Sequence, residues 1–290
     1  MLIHRAGGAD GIESIAPAAV DELSGLGLQL DGPGVALTAW WGTNEPRTIY
    51  EPRARLVSRL DLARRLRELA ASLGTEMIED VRHASVSRAG GAFDVMTSGG
   101  GTDHQLVVRS VVDATGRAAS VARRLGAQRY QADELFSAVV DVVTAADGVW
   151  TEATSPGWWS LCGLAGRGTL AFHGNLAEVR AAATDLGARV RETRLGAQVE
   201  DLIGAVVVRA SGSELCLPSA GPGWVAVGDA AMSVQPLASA GNAKALRDAA
   251  RVFEAFNRPA AFSARQNGEF HRYLDTLARQ YREGGRRRTA

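Results

Sequence analysis

The residues from Val225 to Asn242, Val-Ala-Val-Gly-Asp-Ala-Ala-Met-Ser-Val-Gln-Pro-Leu-Ala-Ser-Ala-Gly-Asn, combine several chemistries within one short turn. An apolar, strand-like run ends in Gly228-Asp229, which places one carboxylate where it can accept hydrogen bonds from ligand hydroxyls. A loop around Pro236 follows, and Gly241-Asn242 then opens a helix. The free N–H groups of a helix start suit an anionic or electron-rich ligand edge. Val111-Val112-Asp113-Ala114-Thr115-Gly116-Arg117 has the same character: a strand end, Asp-x-x-Gly, then a helix. Asp113 and Gly116 could contact a ligand here, or Asp113 could simply cap the helix.

The composition narrows the field. The chain has 290 residues, 46% of them hydrophobic, enough for one large or two ordinary domains. Thirty-two basic residues balance 32 acidic ones, so the sequence makes no case for nucleic acid or an anionic membrane surface. The basic stretch Arg286-Arg287-Arg288 reads as a solvated tail. No apolar run is long enough to span a membrane, and no signal peptide is visible. Cys162 and Cys216 lie far apart without metal-ligand spacing and read as reduced residues of a cytoplasmic protein. His83 and His173 have no sequence partners and read as core or surface residues. Neither a Ser-His-Asp arrangement nor a metal cluster stands out.

These motifs need elements to hold them. Residues 1–5 read as a short strand and Glu13–Leu26 as a helix, with Ser14 as a possible cap. Val35–Trp41 is strand-like. Arg53–Leu73 carries an apolar stripe at helical spacing and ends at Gly74. Strands are expected near 75–87, 92–97 and 104–112, with Gly90-Gly91 and Gly99-Gly100-Gly101 as turns. A short helix covers 118–125. Strands follow at 136–143, 148–151, 157–162 and 168–172, and one or two helices over 176–202. Strands at 205–209 and 224–227 and helices at 242–256 and 260–280 complete the pattern. The expected fold is α/β: a Rossmann-like dinucleotide-binding core over 1–30, 55–130 and 205–256, a substrate-side β-rich domain over 31–54 and 131–204, and a C-terminal helix with basic tail over 257–290.

The Gly-Asp segment closely resembles the second flavin-binding motif of FAD-dependent monooxygenases and halogenases, and the Asp-Ala-Thr-Gly segment resembles one that those proteins place near the adenine side of FAD. Further segments are similar to the tryptophan-halogenase-like branch of the group-2 FAD oxidoreductases, which includes flavin monooxygenases of quinone-cofactor maturation. They are Gly11-Ile12-Glu13-Ser14-Ile15-Ala16-Pro17, Thr38-Ala39-Trp40-Trp41-Gly42-Thr43, Arg59 at the opening of the long helix, and Gly157-Trp158-Trp159-Ser160. The resemblance covers roughly residues 1–280. It implies an FAD-dependent monooxygenase acting on an aromatic or amino-acid side chain through a flavin C4a-hydroperoxide, with a flavin reductase or NAD(P)H as the electron source. Gly228, Asp229, Pro236, Gly241 and Asn242 would hold the flavin end, Arg59 would lie near it, and Asp113 and Gly116 would serve the adenine side. Trp40, Trp41, Trp158, Trp159 and Glu13 would face the substrate. Each has a plainer alternative: a solvated helix face for Arg59, a helix cap for Glu13, partly buried core for the tryptophans. Strand alternation allows at most one tryptophan of each pair into any one cavity.

The sequence also departs from that family. Its Gly-x-Gly-x-x-Gly turn, which brings pyrophosphate to a helix N-terminus, has no counterpart: Ala6–Gly11 is Gly-rich with other spacing, and His4 or Arg5 stands where an acid would bind ribose. On this reading the sequence starts about thirty residues into the family's first βαβ unit, as a fragment, a mis-assigned start or a shortened protein would. If these 290 residues are the complete chain, the expectation is that they bind FAD weakly or not at all, with FMN less affected. Gln235 replaces the family's Asp before the proline. Halogenation is not expected, because the sole lysine, Lys244, follows the flavin loop instead of lying in the Val35–Trp41 strand. The rival reading is a non-catalytic scaffold or binding protein that keeps the flavoprotein fold.

Overall fold

A computed structural model describes residues 2–3, 11–99 and 101–284. The expectations for residues 4–10 and 286–288 fall outside these residues. The fold is mixed α/β, and its largest layer is a seven-stranded sheet. Five of its strands run in the order Phe136–Val143, Arg167–Gly174, Trp158–Leu164, Gly148–Ala153, Val35–Trp40, with Asp201–Ala210 at one edge and Arg47–Glu51 at the other. All neighbours are antiparallel except Gly148–Ala153 beside Val35–Trp40. Strand Asp201–Ala210 thus belongs to this sheet, although residues from 205 onward were expected in the core.

One face of the sheet is sealed by the helices Leu176–Ala183 and Leu186–Arg191. Leu161, Leu170, Val140, Trp159 and Phe172 pack there against Val179, Leu186 and Val190. The first of these helices starts with a capping box: Asn175 accepts from the Glu178 N–H, and Glu178 accepts from the Asn175 N–H. The other face receives the short ribbon of Ile12–Ile15 antiparallel to Arg55–Ser58. The Ile12 N–H donates to Thr169 Oγ1 at 2.8 Å, which fixes the ribbon on the sheet.

Two parallel pairs carry the Rossmann-like character: Leu2–Ile3 with Met77–Ile78, and Val111–Asp113 with Trp224–Ala226. The meander Val81–Ala89, Ala92–Gly99, His104–Val108 lies between them in sequence, and packs through Val86, Phe93 and Val95 under Trp224. At the C-terminal end, the helices Gly241–Ala250 and Val252–Asn257 precede the 25-residue helix Pro259–Glu283.

Three expectations need correction. Ile12–Ile15 is a strand, and the helix behind it starts only at Pro17. The two isoleucines suit a strand, and proline is at home in the first helical turn. The long helix starts at Arg59, because Arg55–Ser58 pairs with that strand and Ser58 caps the helix, accepting from the Asp61 N–H at 3.2 Å. Residues 242–256 form two helices that break at Arg251. Among the described residues, no helix is long and apolar enough to cross a membrane.

Candidate functional site

Three elements distant in sequence meet around Glu13. Its carboxylate ion-pairs with the guanidinium of Arg59, and its other oxygen accepts from Asn242 Nδ2 at 3.0 Å. The first turn of helix Arg59–Ser72 is thereby tied to the first turn of helix Gly241–Ala250. The Arg59 N–H donates to the Gly11 carbonyl at 2.8 Å and fixes the same junction from the backbone. Both charged side chains are partly exposed, so the pair adds little stability. Its effect is orientation. Glu13 acts as a bridge instead of a helix cap, and Arg59 turns toward it and away from the solvated face of its helix.

The Gly-Asp turn is built from below. Strand Trp224–Ala226 runs parallel to Val111–Asp113 and ends in a 3-10 turn at Gly228–Ala230. Gly228 has φ +57, a conformation glycine adopts freely, and an added Cβ would press on Ala245. A buried ion pair grips this glycine. Lys244 Nζ lies 2.5 Å from Asp248 Oδ2 and donates to the Gly228 carbonyl at 3.0 Å. Asp248 Oδ2 accepts from the Gly228 N–H at 3.0 Å, and Oδ1 accepts from Gln266 at 2.7 Å. The next residue, Asp229, is half-buried, and its carboxylate has no hydrogen bond among the described residues. Burial pushes its pKa up, and Arg117, Lys244 and Arg129 oppose that.

After this turn, Gln235 is buried and doubly anchored to the long C-terminal helix. Its N–H donates to Tyr273 Oη at 2.8 Å, and its Oε1 accepts from Tyr281 at 2.7 Å. Burial raises the Tyr273 phenol to about 12, so it stays neutral. Pro236–Ala238 is a 3-10 turn, Ser239 is left-handed at φ +45, and helix Gly241–Ala250 begins without a side-chain cap. A Cβ on Gly241 would meet nothing within 4 Å. Among the described residues no side chain caps the first N–H groups of this helix.

Asp113 is fully buried, and both carboxylate oxygens are engaged. One accepts from Thr115 N and Oγ1 at 2.9 and 2.6 Å, the other from Val121 N and Ala122 N at 3.1 and 2.7 Å. Its carboxylate organises the turn through Gly116 into the following helix. Gly116, at φ +66, is open on its Cβ side.

The four tryptophans separate by strand alternation. Ladder registers place Trp158 on the sheet face that receives Glu13, and Trp40 and Trp159 on the opposite face; Trp41, just past its strand, packs beside Trp158. Trp158 is buried with Leu135, Leu277 and Tyr281, and Trp41 packs on it edge-to-face at 5.9 Å. The Trp41 indole donates to the Gln280 carbonyl at 2.7 Å. Trp159 lies in the core against Phe172. Trp40 stacks on Trp150 and lines an open cleft of about 500 Å3 with Thr43, Asn44, Ser155 and Arg194. Arg194 donates to Asn44 Oδ1 at 3.2 Å. Trp40 thus lines open space, whereas Trp158 and Trp159 are core.

His173 gained a role that nothing in the sequence signalled. It stacks on Trp158 with centroids 3.7 Å apart. Ser137 Oγ donates to Ser211 Oγ at 2.7 Å and so accepts from His173 Nδ1, also at 2.7 Å, leaving Nε2 to accept from Ser160 at 2.9 Å. Burial, with Arg209 nearby, drives its pKa down to about 3. The unfolded chain binds this proton near pH 6.5, so the contribution of neutral His173 is present above pH 6.5 and is lost as pH falls toward 3. Between pH 6.5 and 5 the expected loss is about 2 kcal/mol. Urea denaturation at both pH values measures it, and His173→Gln should remove that part of the slope. His83 is exposed. Burial and the nearby Glu13 carboxylate raise the Cys162 thiol to about 12, so it is unreactive at neutral pH.

No protein-family model and no curated protein sequence matches the chain. Solved structures do match. CmlS, a flavin-dependent halogenase, aligns over 93% of this chain and 57% of its own at 20% identity, with TM-score 0.78. CndH, the myxobacterial chondrochloren halogenase and a variant of FAD-dependent halogenases, aligns over 93% and 72% at 20% identity, TM-score 0.77. QhpG, a peptidyl tryptophan dihydroxylase essential for tryptophylquinone cofactor biogenesis, aligns over 97% and 66% at 23% identity, TM-score 0.72. The chain has the fold of these three enzymes, and spans 57% of the length of the first and 66% of the last.

Proposed function

We propose that the chain acts as an FAD-dependent monooxygenase on an aromatic or amino-acid side-chain substrate, with electrons supplied by NAD(P)H or a flavin reductase. The observation that carries this reading is the Gly228–Asn242 segment, where an Asp229 carboxylate with no hydrogen-bond partner among the described residues and an uncapped helix start with open space beside Gly241 belong to one turn. This donor and acceptor set fits a flavin, whose ribityl hydroxyls donate and whose pyrimidine edge accepts. Bound there, reduced flavin supplies oxygen activation.

The protein's part is to bind and orient. Asp229 accepts hydrogen bonds from ribityl hydroxyls. Backbone N–H groups at the uncapped start of helix Gly241–Ala250 would donate to an electron-rich edge of the ring, with the helix dipole behind them. Glu13 keeps Arg59 and Asn242 in place, and Tyr281 holds Gln235 and hence the start of the Pro236 turn. Trp40 lies on the sheet face away from Glu13, so the Trp40–Arg194 cleft is not taken as the substrate site. The fold alignment with QhpG and the halogenases supports this reading. Halogenation is not proposed, because the sole lysine is locked against Asp248 and Gly228.

The purified chain mixed with FAD should show protein-bound flavin absorbance near about 450 nm, a property of the cofactor. Asp229→Ala should weaken flavin binding at least tenfold, since hydrogen bonds to a charged group contribute about 1.5–3 kcal/mol. Absence of bound flavin at any concentration of FAD or FMN would sink the proposal and leave the scaffold reading.

A further inference from the structure

A groove of about 340 Å3 lies between the helices Gly241–Ala250 and Pro259–Glu283, and uses none of the residues assigned to the flavin. Lys244, Arg247 and Arg251 recur along one wall at helical spacing, and Arg272 and Glu269 face them from the other. Met232 and Val234, from the segment just after Gly228-Asp229, contribute apolar surface.

The charges in this groove do not cancel. Lys244 is consumed by Asp248 at 2.5 Å. Arg251 shares Glu269 at 3.3 Å. Arg247 and Arg272 have no ion pair and no side-chain hydrogen bond among the described residues. Two exposed arginines without ion pairs among the described residues, Arg247 and Arg272, therefore line one groove from opposite walls, with Arg251 beside them. A single carboxylate would satisfy one guanidinium. A phosphate or diphosphate carries enough charge and oxygens to engage several, because the planar fork of arginine matches phosphate oxygens bidentately. The apolar surface lowers the local dielectric and strengthens that attraction.

We propose that this groove binds the phosphate or diphosphate group of a small molecule. That group could belong to a separate phosphorylated ligand or be the diphosphate of FAD itself. The chemistry is the same, and competition separates the two sources.

The probe is inorganic pyrophosphate, titrated into the whole chain by calorimetry at fixed ionic strength. One saturable site is expected. The Arg247→Ala/Arg272→Ala double variant should weaken it at least tenfold, while Arg167→Ala, at the exposed start of a sheet strand, should not. Circular dichroism confirms that the double variant is folded; if it is not, the charge-preserving Arg247→Lys/Arg272→Lys variant takes its place, with a smaller loss expected. Repeating the titration with FAD present shows whether FAD displaces pyrophosphate, which identifies the cofactor's diphosphate as the occupant, or leaves it bound, which identifies a second ligand. Absence of saturable binding in the wild-type chain, or equal binding by folded double variant and wild type, overturns the proposal. Neither result depends on flavin binding, so this proposal and the flavin reading can fail separately.

Discussion

Replacing Lys244 by methionine is expected to lower the free energy of unfolding by about 3–5 kcal/mol, the range for removing one partner of a buried ion pair. Both side chains are almost completely buried. Methionine approximates the lysine stem but leaves the Asp248 carboxylate buried without its cation. It also takes away the donor that satisfies the Gly228 carbonyl. The turn before Asp229 then loses its support from below. Removing both charges, as Lys244→Met/Asp248→Leu, should recover part of the loss, because the desolvation of an unpaired charge disappears. Recovery should be incomplete, since the Gly228 N–H and Gln266 lose their acceptor. Urea denaturation of the two variants measures this. A single variant within about 1 kcal/mol of wild type would show that the pair is not the clamp described. The sole lysine is therefore a structural part of the Gly-Asp turn.

Local patterns were legible in the sequence and long-range ones were not. Strand Phe136–Val143 was readable to the residue from β-branched content and flanking turns. The separation of Trp158 and Trp159 onto opposite faces followed from period-two geometry alone. Glu13–Leu26 carries helical spacing throughout, and only the pairing of Ile12–Ile15 with residues 55–58 makes its first residues a strand. Lys244 and Asp248 stand at helical i,i+4 spacing, so a pair was available to sequence reasoning; its grip on Gly228, sixteen residues away, was not. The meeting of Glu13, Arg59 and Asn242 likewise depends on separations of 46 and 229 residues. His173 reads as an isolated histidine because Ser137 is 36 residues distant and Ser160 lies on the neighbouring strand. Motif residues announced the candidate flavin segment, whereas the side chains that hold it rigid come from elements that only the fold brings near.

Asp113→Ala is expected to cost about 3 kcal/mol or more, and to act on folding before it acts on any ligand. Its carboxylate accepts four hydrogen bonds from Thr115, Val121 and Ala122 in a fully buried position. Each bond to a charged acceptor contributes about 1.5–3 kcal/mol, and stranding a buried donor costs about 1–3 kcal/mol. These terms are not additive, because the bonds share one carboxylate. Ala122 N–H is the most exposed to loss, since it is buried and bonds to Asp113 Oδ2 at 2.7 Å. Asp113→Asn should cost less, because one oxygen remains to accept while the amide presents donors to groups that already donate. Guanidinium denaturation gives the stabilities, and flavin titration of the folded variants gives the second readout. If Asp113 only shapes the turn, Asp113→Asn should bind flavin within about threefold of wild type once the unfolded fraction is subtracted. A loss of tenfold or more with stability intact would instead mean that this carboxylate contacts the cofactor directly.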